Sequence, residues 1–312
     1  MKNKYLIGYF LLLSAALLLL VPAGCTQKAT EQEMANGTFL VDLMGRRVAI
    51  TGEIDRIISL SPQHTEILFA LGLEEKVVAV TDFCNYPPQA ANIKKVGGFT
   101  DTNIEILLTL QPDLVLAGSP HRELVQQLEE RNIPVLAMEP RSLAEIYETI
   151  RLIGAAAGAE KAAGEMTGEI KEQVSIIQER LSSLSDEERI PVYYELWYDP
   201  PMSVGNRSFI HEVITLAGGE NIFADLDDNY PTVSAETVAQ KNPRVILFSS
   251  DHGTVEAVRE QYALRPGWDK INAYQENRIH SVDGDLFNRA GPRIGHAVET
   301  AAALFYPALF EN

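Results

Sequence analysis

The sequence predicts an α/β protein with two similar lobes and a ligand cleft between them. The chain carries one helix–strand passage twice, as NIEILLTLQPDLVL over 103–116 and as SAETVAQKNPRVIL over 234–247. In both passages a Glu near the start is followed seven residues later by a Pro and then by a short apolar strand. A second repeated pair is TEILFALG (65–72) and HEVITLAG (211–218). Two similar lobes with a cleft between them suit ligand capture better than they suit the catalysis of most reactions.

The first half of the chain alternates strand and helix patterns, which predicts a parallel sheet with helices on its faces. A loose alternation around Gly45 predicts a β-hairpin before this sheet. The predicted elements are a hairpin at 38–50, strands at 56–61, 76–81, 113–118 and 134–139, helices at 64–71, 103–110 and 121–131, and a Pro-rich loop at 82–90.

A long amphipathic helix is predicted in the middle of the chain. Ser142 and Glu145 form a capping box at its start, and the pattern runs to about Leu184 with a break near 154–158. The part from 159 to Leu184 would be about 39 Å long at 1.5 Å per residue. We therefore expect a rigid connector across both lobes; the alternative is a helix buried within one domain.

The second half repeats the α/β pattern. The predicted elements are strands at 191–198, 244–249 and 278–282, and helices at 208–217, at 234–241 and from Pro292 to just before Pro307. The expected organisation is a signal peptide at 1–24, a lipidated tether at 25–37, an N-terminal lobe at 38–158, a connecting helix at 159–186 and a C-terminal lobe at 187–312.

The first 25 residues predict export and lipidation. Lys2 and Lys4 precede an apolar run over 5–21, and small residues then lead to Cys25, as in a secretory signal. A Cys directly after Ala-Gly resembles the bacterial lipobox, although Pro22 stands where an aliphatic residue is usual. The alternative is a retained membrane helix, for which this run is at the lower limit of length. We expect a protein anchored by lipid on the outer face of the cytoplasmic membrane.

The charge of the chain argues against a nucleic-acid partner, and its cysteine content argues against a disulfide. The net charge is −17, and removing residues 1–24, which hold two Lys and no acid, makes it −19. A strongly acidic chain is not expected to bind nucleic acid, whose phosphates need Lys and Arg. With Cys25 lipidated only Cys84 remains, so no disulfide within the chain is expected.

The sequence lacks the motifs of common enzymes. It contains no GxGxxG, GxxxxGK[ST], GxSxG, HExxH or CxxC, which argues against nucleotide-dependent and hydrolytic chemistry. The six His are scattered without the spacing of a helical ligand pair, so neither a cofactor nor a metal site is expected. His64 follows the end of a predicted strand, where α/β folds place ligands. It is a candidate ligand contact, or otherwise a capping or solvated residue.

Aromatic residues are concentrated in loops and at strand ends rather than at helix-core spacing. A cleft lined by such residues suits a large, flat, partly apolar ligand. The alternative for each is a loop aromatic that covers the core. The candidates are Tyr86, Phe99, Trp197, Tyr198, Tyr230 and Phe287, with Phe83 beside Tyr86.

Several segments together resemble the substrate-binding proteins of ABC importers with a helical backbone, which carry siderophores, haem and cobalamin. In the first half these are RIISLSPQHTEILFALG, DFCNYPPQA and NIEILLTLQPDLVLA, and in the second ELWYDPPMSVG, AGGENIFAD, YPTVSAETV and DGDLFNRAGPRI. The likeness covers 38–308 and is closest to the cobalamin-binding branch, which often has Trp where this chain has Phe99 and Tyr230. It implies two Rossmann-like lobes, a connecting helix and limited hinge motion.

The resemblance also implies roles for particular residues. Glu105 and Glu236, which begin the repeated passages, match the lobe-tip carboxylates that dock on arginines of a permease dimer with its ATPase subunits. As residues near a helix start, each also interacts favourably with the helix macrodipole. The positions that match the lining of a corrinoid cleft are Tyr86, Phe99, Trp197, Tyr230, Asp285 and Phe287.

Three functions stay open at this point. The leading prediction is a tethered receptor that binds cobalamin or a related corrinoid and has no enzymatic activity. A siderophore receptor would need several cations in the cleft, and the candidate loops offer Arg207, Arg289 and Arg293. A haem receptor would need an axial ligand, for which Tyr86 and His64 are candidates. An extracytoplasmic metalloenzyme would require His64, His211 and His252 to converge.

Overall fold

The computed structural model describes residues 37–310, so the predicted signal peptide, Cys25 and nearly all of the predicted tether lie outside the described residues. The described part of the chain begins with a two-stranded hairpin formed by β1 (Gly37–Val41) and β2 (Arg47–Thr51). Gly45 in its turn has a φ of +75°, a left-handed conformation that glycine adopts without a steric cost. The predicted hairpin is confirmed.

The first lobe is built on a four-stranded parallel sheet with the order β4-β3-β5-β6. Its strands are almost wholly buried because helices cover both faces, which is why they read as continuous apolar runs. Each predicted strand is present and slightly shorter than expected. The strands are β3 (Ile57–Ser59), β4 (Val77–Val80), β5 (Leu114–Ala117) and β6 (Val135–Ala137).

Four helices follow the strands of this sheet. The first ends as predicted, because Gly72 just beyond it has a φ of +71°. Half of the capping box predicted for the fourth is present: Ser142 Oγ accepts from the Glu145 backbone N–H at 3.2 Å. The Glu145 side chain accepts from the Arg141 backbone N–H at 2.7 Å instead of from that of Ser142. The helices are α1 (Pro62–Ala70), α2 (Ile104–Thr109), α3 (Arg122–Glu129) and α4 (Leu143–Ala157).

The long central helix is α5 (Glu160–Arg180). It is separated from α4 by Gly158, whose φ of +75° breaks the helical path where the sequence predicts a break. The start of α5 packs closely on α4, because a Cβ at Gly154 would lie 2.6 Å from Ala163 Cβ. Its buried residues belong to one apolar core that includes residues of both lobes. The helix therefore contacts both lobes, as expected of a connector.

The second lobe repeats the first in its topology. Its parallel sheet has the order β10-β7-β11-β12, so in both lobes the second strand lies at one edge and the first strand beside it. A short antiparallel pair, β8 with β9, extends from the end of β7. The strands are β7 (Ile190–Glu195), β8 (Trp197–Tyr198), β9 (Pro201–Met202), β10 (Gly219–Asn221), β11 (Val245–Ser249) and β12 (Ile279–Val282).

Some elements of this lobe were not predicted. The edge strand β10 has the sequence Gly-Glu-Asn, which carries no apolar alternation, and it is held by its backbone pairing with β7. The helix over Val255–Ala263 was not predicted either. The helices are α6 (Phe209–Leu216), α7 (Ala235–Lys241), α8 (Val255–Ala263), α9 (Asn272–Gln275), α10 (Gly284–Phe287), α11 (Ile294–Phe305) and α12 (Pro307–Phe310). Within 37–310, no helix has the length and apolar character needed to cross a membrane.

Candidate ligand-binding site

The loops that follow the strands of one lobe meet the loops that follow the strands of the other. Asn85, in the loop after β4, donates from Nδ2 to Asp285 Oδ2 at 3.2 Å. Arg289, beyond α10, donates to the Phe83 backbone carbonyl at 3.4 Å. Because the strands of both sheets are parallel, this places the carboxyl ends of the two sheets on the interface between the lobes, where α/β proteins bind ligands.

Tyr86 lies in the loop after β4, as predicted from its Pro-rich sequence. Its ring is partly open to solvent, and the guanidinium carbon of Arg293 lies 4.0 Å from the ring centroid. A cation over an aromatic face is attracted by the ring quadrupole, so this contact restrains the ring. The Tyr86 ring of the first lobe is thus in contact with the Arg293 side chain of the second lobe.

Trp197 and Tyr198 form β8, and their rings lie against each other with centroids 4.8 Å apart. Both approach the ring of His252 edge-on, at 6.0 and 5.7 Å. The Trp197 indole N–H donates to the Asp199 carbonyl at 2.9 Å. Arg265 donates to the Tyr198 carbonyl at 3.1 Å. These contacts fix the two rings on the surface of the second lobe.

Tyr230 lies in the loop between β10 and α7, near residues of the first lobe. Burial of its hydroxyl raises the pKa of Tyr230, a hydrogen bond with Ser208 lowers it, and the charges of Glu139 and Arg141 act in opposite directions. Glu139 and Arg141 follow β6, so the loops also approach each other here. The Tyr230 ring is the second point, after Tyr86, where an exposed aromatic lies beside the opposite lobe.

His64 belongs to the interior of the first lobe, whereas Phe99 is only partly covered. The half-buried Phe99 ring meets His121 edge-on, with centroids 5.3 Å apart. His64 is fully buried, and neither of its ring nitrogens has a hydrogen-bond partner among the described residues. Burial lowers the pKa of His64 to about 3, with a further decrease from the nearby His121. It is neither a cap nor a solvated residue.

Asp285 and Phe287 lie on α10 and have different environments. Asp285 is partly exposed, and Arg289 Nη2 lies 2.6 Å from its carboxylate. Phe287 is fully buried and stacks on Tyr194, with centroids 6.2 Å apart and an interplanar angle of 18°. The Phe287 ring therefore packs inside the second lobe and is not exposed to solvent.

The eight predicted contact residues therefore fall into two groups according to how far their side chains are exposed to solvent. Phe287 and His64 are buried, Phe99 is half-buried and Asp285 is held in an ion pair. Four aromatic rings keep a large exposed fraction, namely Tyr86 at 42%, Trp197 at 45%, Tyr198 at 44% and Tyr230 at 38%. We name these four the exposed aromatic set.

The three candidate arginines for an anionic ligand are all engaged by carboxylates. Arg207 binds Asp227 through Nε and Nη2, both at 2.6 Å. Arg289 and Arg293 both bind Glu66 of α1, at distances of 2.8–2.9 Å. Sequence reasoning missed Glu66, although a lone carboxylate within an apolar helix was a usable signal.

The described residues do not form a metal centre. No group of three or more His, Cys, Asp or Glu within 37–310 is arranged to hold a metal ion. His64 lies beside His121, His211 beside Asn221 and His252 among aromatic rings, so the three are in separate environments. The convergence that a metalloenzyme would require is not observed among them.

A cavity of about 1150 Å³ lies between α1, α5 and the loop of Tyr86. Its walls include Phe69, Met166 and Ile170, and four glutamates contribute to its lining besides Glu66. Of the eight predicted contacts, only Tyr86 borders it. This cavity is on the side of the connecting helix and is distinct from the surface that carries the other exposed aromatic rings.

Glu105 and Glu236 occupy equivalent places in the two lobes. Each is exposed at the second position of its helix, α2 or α7. The helix caps are equivalent too: Asn103 Oδ1 accepts from the Ile106 N–H at 3.0 Å, and Ser234 Oγ accepts from the Thr237 N–H at 3.1 Å.

Comparisons with known proteins agree with this architecture. A family model described as "Periplasmic binding protein" matches residues 57–286. An uncharacterized ABC transporter substrate-binding lipoprotein, YvrC of Bacillus subtilis (strain 168), is 34% identical over 325 residues, and the match covers 100% of each chain.

Two solved structures share the fold over most of the chain. The periplasmic vitamin B12 binding protein BtuF of Vibrio cholerae has a TM-score of 0.71 and 31% identity, covering 83% of this chain and 99% of that one. The periplasmic heme-binding protein RhuT from Roseiflexus sp. RS-1, in its apo form, has a TM-score of 0.72 and 26% identity, covering 83% and 100%.

Proposed function

Because the chain belongs to the periplasmic binding protein family, whose members are substrate-binding proteins of ABC transporters and not enzymes, we propose that it captures cobalamin or a related corrinoid. It delivers this ligand to its importer and carries no cofactor of its own. The likeness to a vitamin B12 binding protein of known structure supports the choice of ligand.

The exposed aromatic set is the observation that carries this proposal. Buried aromatic rings stabilise a core, whereas rings left about two-fifths exposed in the segments that follow the sheet strands are available to a ligand. A corrinoid presents a broad, mostly uncharged macrocycle with amide side chains, which suits aromatic faces and neutral polar groups. Proposed contacts are Tyr86, Trp197, Tyr198 and Tyr230, with Phe99 and Asp285 at their margins and Phe287 and His64 in support.

The arginine pairing argues against an anionic ferric siderophore. Carboxylates already pair with Arg207, Arg289 and Arg293. The pair of Arg207 with Asp227 is exposed, whereas Arg289 and Arg293 bind the buried Glu66, and removing a partner of a buried charge is costly. Haem is the second candidate, because the Tyr86 phenol is exposed and could reach an iron. The buried His64 is not available as an axial ligand.

The test is a comparison of three ligands by calorimetry and visible absorbance. The purified protein is mixed in turn with cyanocobalamin, haemin and a ferric siderophore. We expect one-to-one binding of cyanocobalamin and no heat above dilution with the siderophore. Binding of haemin with a Soret shift, and no binding of cyanocobalamin, would replace the proposal with the haem receptor.

We also propose that the mature protein is anchored by lipid on Cys25, at the outer face of the cytoplasmic membrane. The Ala-Gly-Cys junction, the polar segment after it and the likeness to a protein named a lipoprotein support this. Cys25→Ser should release the protein into the soluble fraction or leave its signal uncleaved. A Cys25→Ser protein that still partitions with membranes as a processed, lipid-bearing form would contradict the proposal.

A further inference from the structure

The carboxylate of Glu66 is buried between the two lobes. Its side chain is 1% exposed, in the middle of α1. It accepts from Arg289 Nη1 at 2.9 Å and from Arg293 Nε and Nη2 at 2.8 Å each. Both arginines belong to the second lobe. Removing a carboxylate from water costs several kcal/mol unless it is paired and hydrogen-bonded, so α1 depends on the opposite lobe for this compensation.

The same arginines reach the proposed ligand contacts. The Arg293 guanidinium covers one face of the Tyr86 ring at 4.0 Å, and Arg289 holds Asp285 at 2.6 Å. A guanidinium fixed by a bidentate carboxylate cannot follow a mobile ring, so the ring takes the position that the pair defines. Glu66 therefore acts on Tyr86 through Arg293.

The pseudo-repeat supplies an internal comparison. Glu212 in α6 is the equivalent of Glu66, since each precedes a left-handed glycine, Gly218 or Gly72, by six residues. Glu212 also crosses to the other lobe, where its Oε2 accepts from the Leu143 backbone N–H at 2.6 Å. Both contacts join the first helix of one lobe to the start of a later helix of the other, because Leu143 begins α4 and Arg293 immediately precedes α11.

Only one of these two interlobe contacts touches the exposed aromatic set. Glu212 is half-buried and meets a backbone N–H, whereas Glu66 is buried and meets an arginine that covers Tyr86. We propose that Glu66 and Arg293 are positioning residues that hold the Tyr86 ring in its ligand-binding orientation. The inference rests on the proposed function in that the ligand is taken to contact Tyr86.

The first arm of the test measures affinity. Arg293→Lys keeps the charge beside Glu66 but loses the planar, bidentate guanidinium over the ring. We expect it to weaken cyanocobalamin binding about tenfold, in line with a partly desolvated cation–π contact. The effect should persist in a Tyr86→Phe background, which keeps an aromatic face, and disappear in a Tyr86→Ala background. Equal losses in both backgrounds would overturn the inference.

The second arm needs no ligand. The protein is labelled with 3-fluorotyrosine, and the Tyr86 resonance is assigned by its absence in Tyr86→Phe. Arg293→Lys should shift that resonance in the free protein, whereas Glu212→Ala, which removes the equivalent contact, should leave it in place. An unmoved resonance in Arg293→Lys overturns the positioning role. If the native protein does not bind cyanocobalamin, the proposed function fails and this arm alone decides the inference.

Discussion

At the level of single residues, exposure distinguishes rings that can meet a ligand from rings that support the fold. Tyr86 and Trp197 are exposed and come from opposite lobes, whereas Phe287 is buried against Tyr194. The indole of Trp197 is held by its own hydrogen bond to Asp199 and by adjacent rings. Rings restrained in this way lose little conformational freedom when a ligand stacks on them.

Replacing either exposed ring should weaken binding without unfolding the protein. We expect Tyr86→Ala and Trp197→Ala each to lower the affinity for cyanocobalamin by about 1–3 kcal/mol, as for buried aromatic anchors. Calorimetry measures this directly. Phe39→Ala is a matched control, because Phe39 is 40% exposed and carries Arg47 at 4.0 Å from its centroid, but lies in the entry hairpin. Unchanged affinity in both test variants would assign these rings to the fold instead.

At the level of elements, α2 and α7 present one carboxylate each from equivalent positions. Both helices begin with a side-chain cap, and both precede the third strand of a sheet with the same order. Members of this family work with a permease and its ATPase subunits, and we propose that Glu105 and Glu236 are its docking points. An acidic receptor would be steered toward basic pockets on such a permease.

The double variant Glu105→Ala/Glu236→Ala should therefore keep its ligand affinity and lose transport. Each substitution removes a favourable macrodipole interaction of about 0.3–1 kcal/mol, so the free energy of unfolding should fall only slightly. Association with the permease, measured in proteoliposomes, should fall and become less sensitive to salt, because exposed charges are screened over about 8–10 Å.

Glu123 and Glu256 provide the matched control for this experiment. They are exposed first-turn glutamates of α3 and α8, so their removal changes the same charge and the same type of helix start. Glu123→Ala/Glu256→Ala should transport normally. Normal transport by the Glu105/Glu236 double variant, or loss of its ligand binding, would show that these residues serve only their own helices.

At the level of the whole molecule, a neutral histidine in the core makes folding sensitive to acid. The folded protein keeps His64 uncharged, because burial lowers its pKa to about 3. The unfolded chain binds that proton below pH about 6.5. Between these values the unfolded state holds more protons, so stability is fully present above pH 6.5 and is lost as the pH falls.

His64→Leu should remove this part of the pH dependence. For one proton the unfolding free energy falls by about 1.4 kcal/mol per pH unit, and the variant's slope between pH 6 and 4 should be smaller by that amount. Urea unfolding at several pH values measures it. His296→Leu is the control, since the His296 side chain is 65% exposed. Parallel stability curves for wild type and His64→Leu would contradict a neutral buried His64.

The sequence by itself determined the class of fold and its repetition. Apolar runs bounded by helix caps and glycines are local signals, so they located most strands and helices and the break at Gly158. The missed strand β10 has no such signal, because the polar Gly-Glu-Asn segment is held as a strand only by its pairing with β7. The same repeat predicted equivalent positions for Glu105 and Glu236, because these depend on order along the chain.

Only the tertiary structure decided which candidate residues are exposed and so available to a ligand. An aromatic residue in a loop has the same local sequence pattern whether it is exposed like Tyr86 or buried like Phe287, because exposure depends on what the rest of the chain packs against it. The pairing of Glu66 with Arg289 and Arg293 joins residues more than 220 positions apart. Local patterns carry no information on such a contact, since burial and the neutralisation of charge arise only when the two lobes come together.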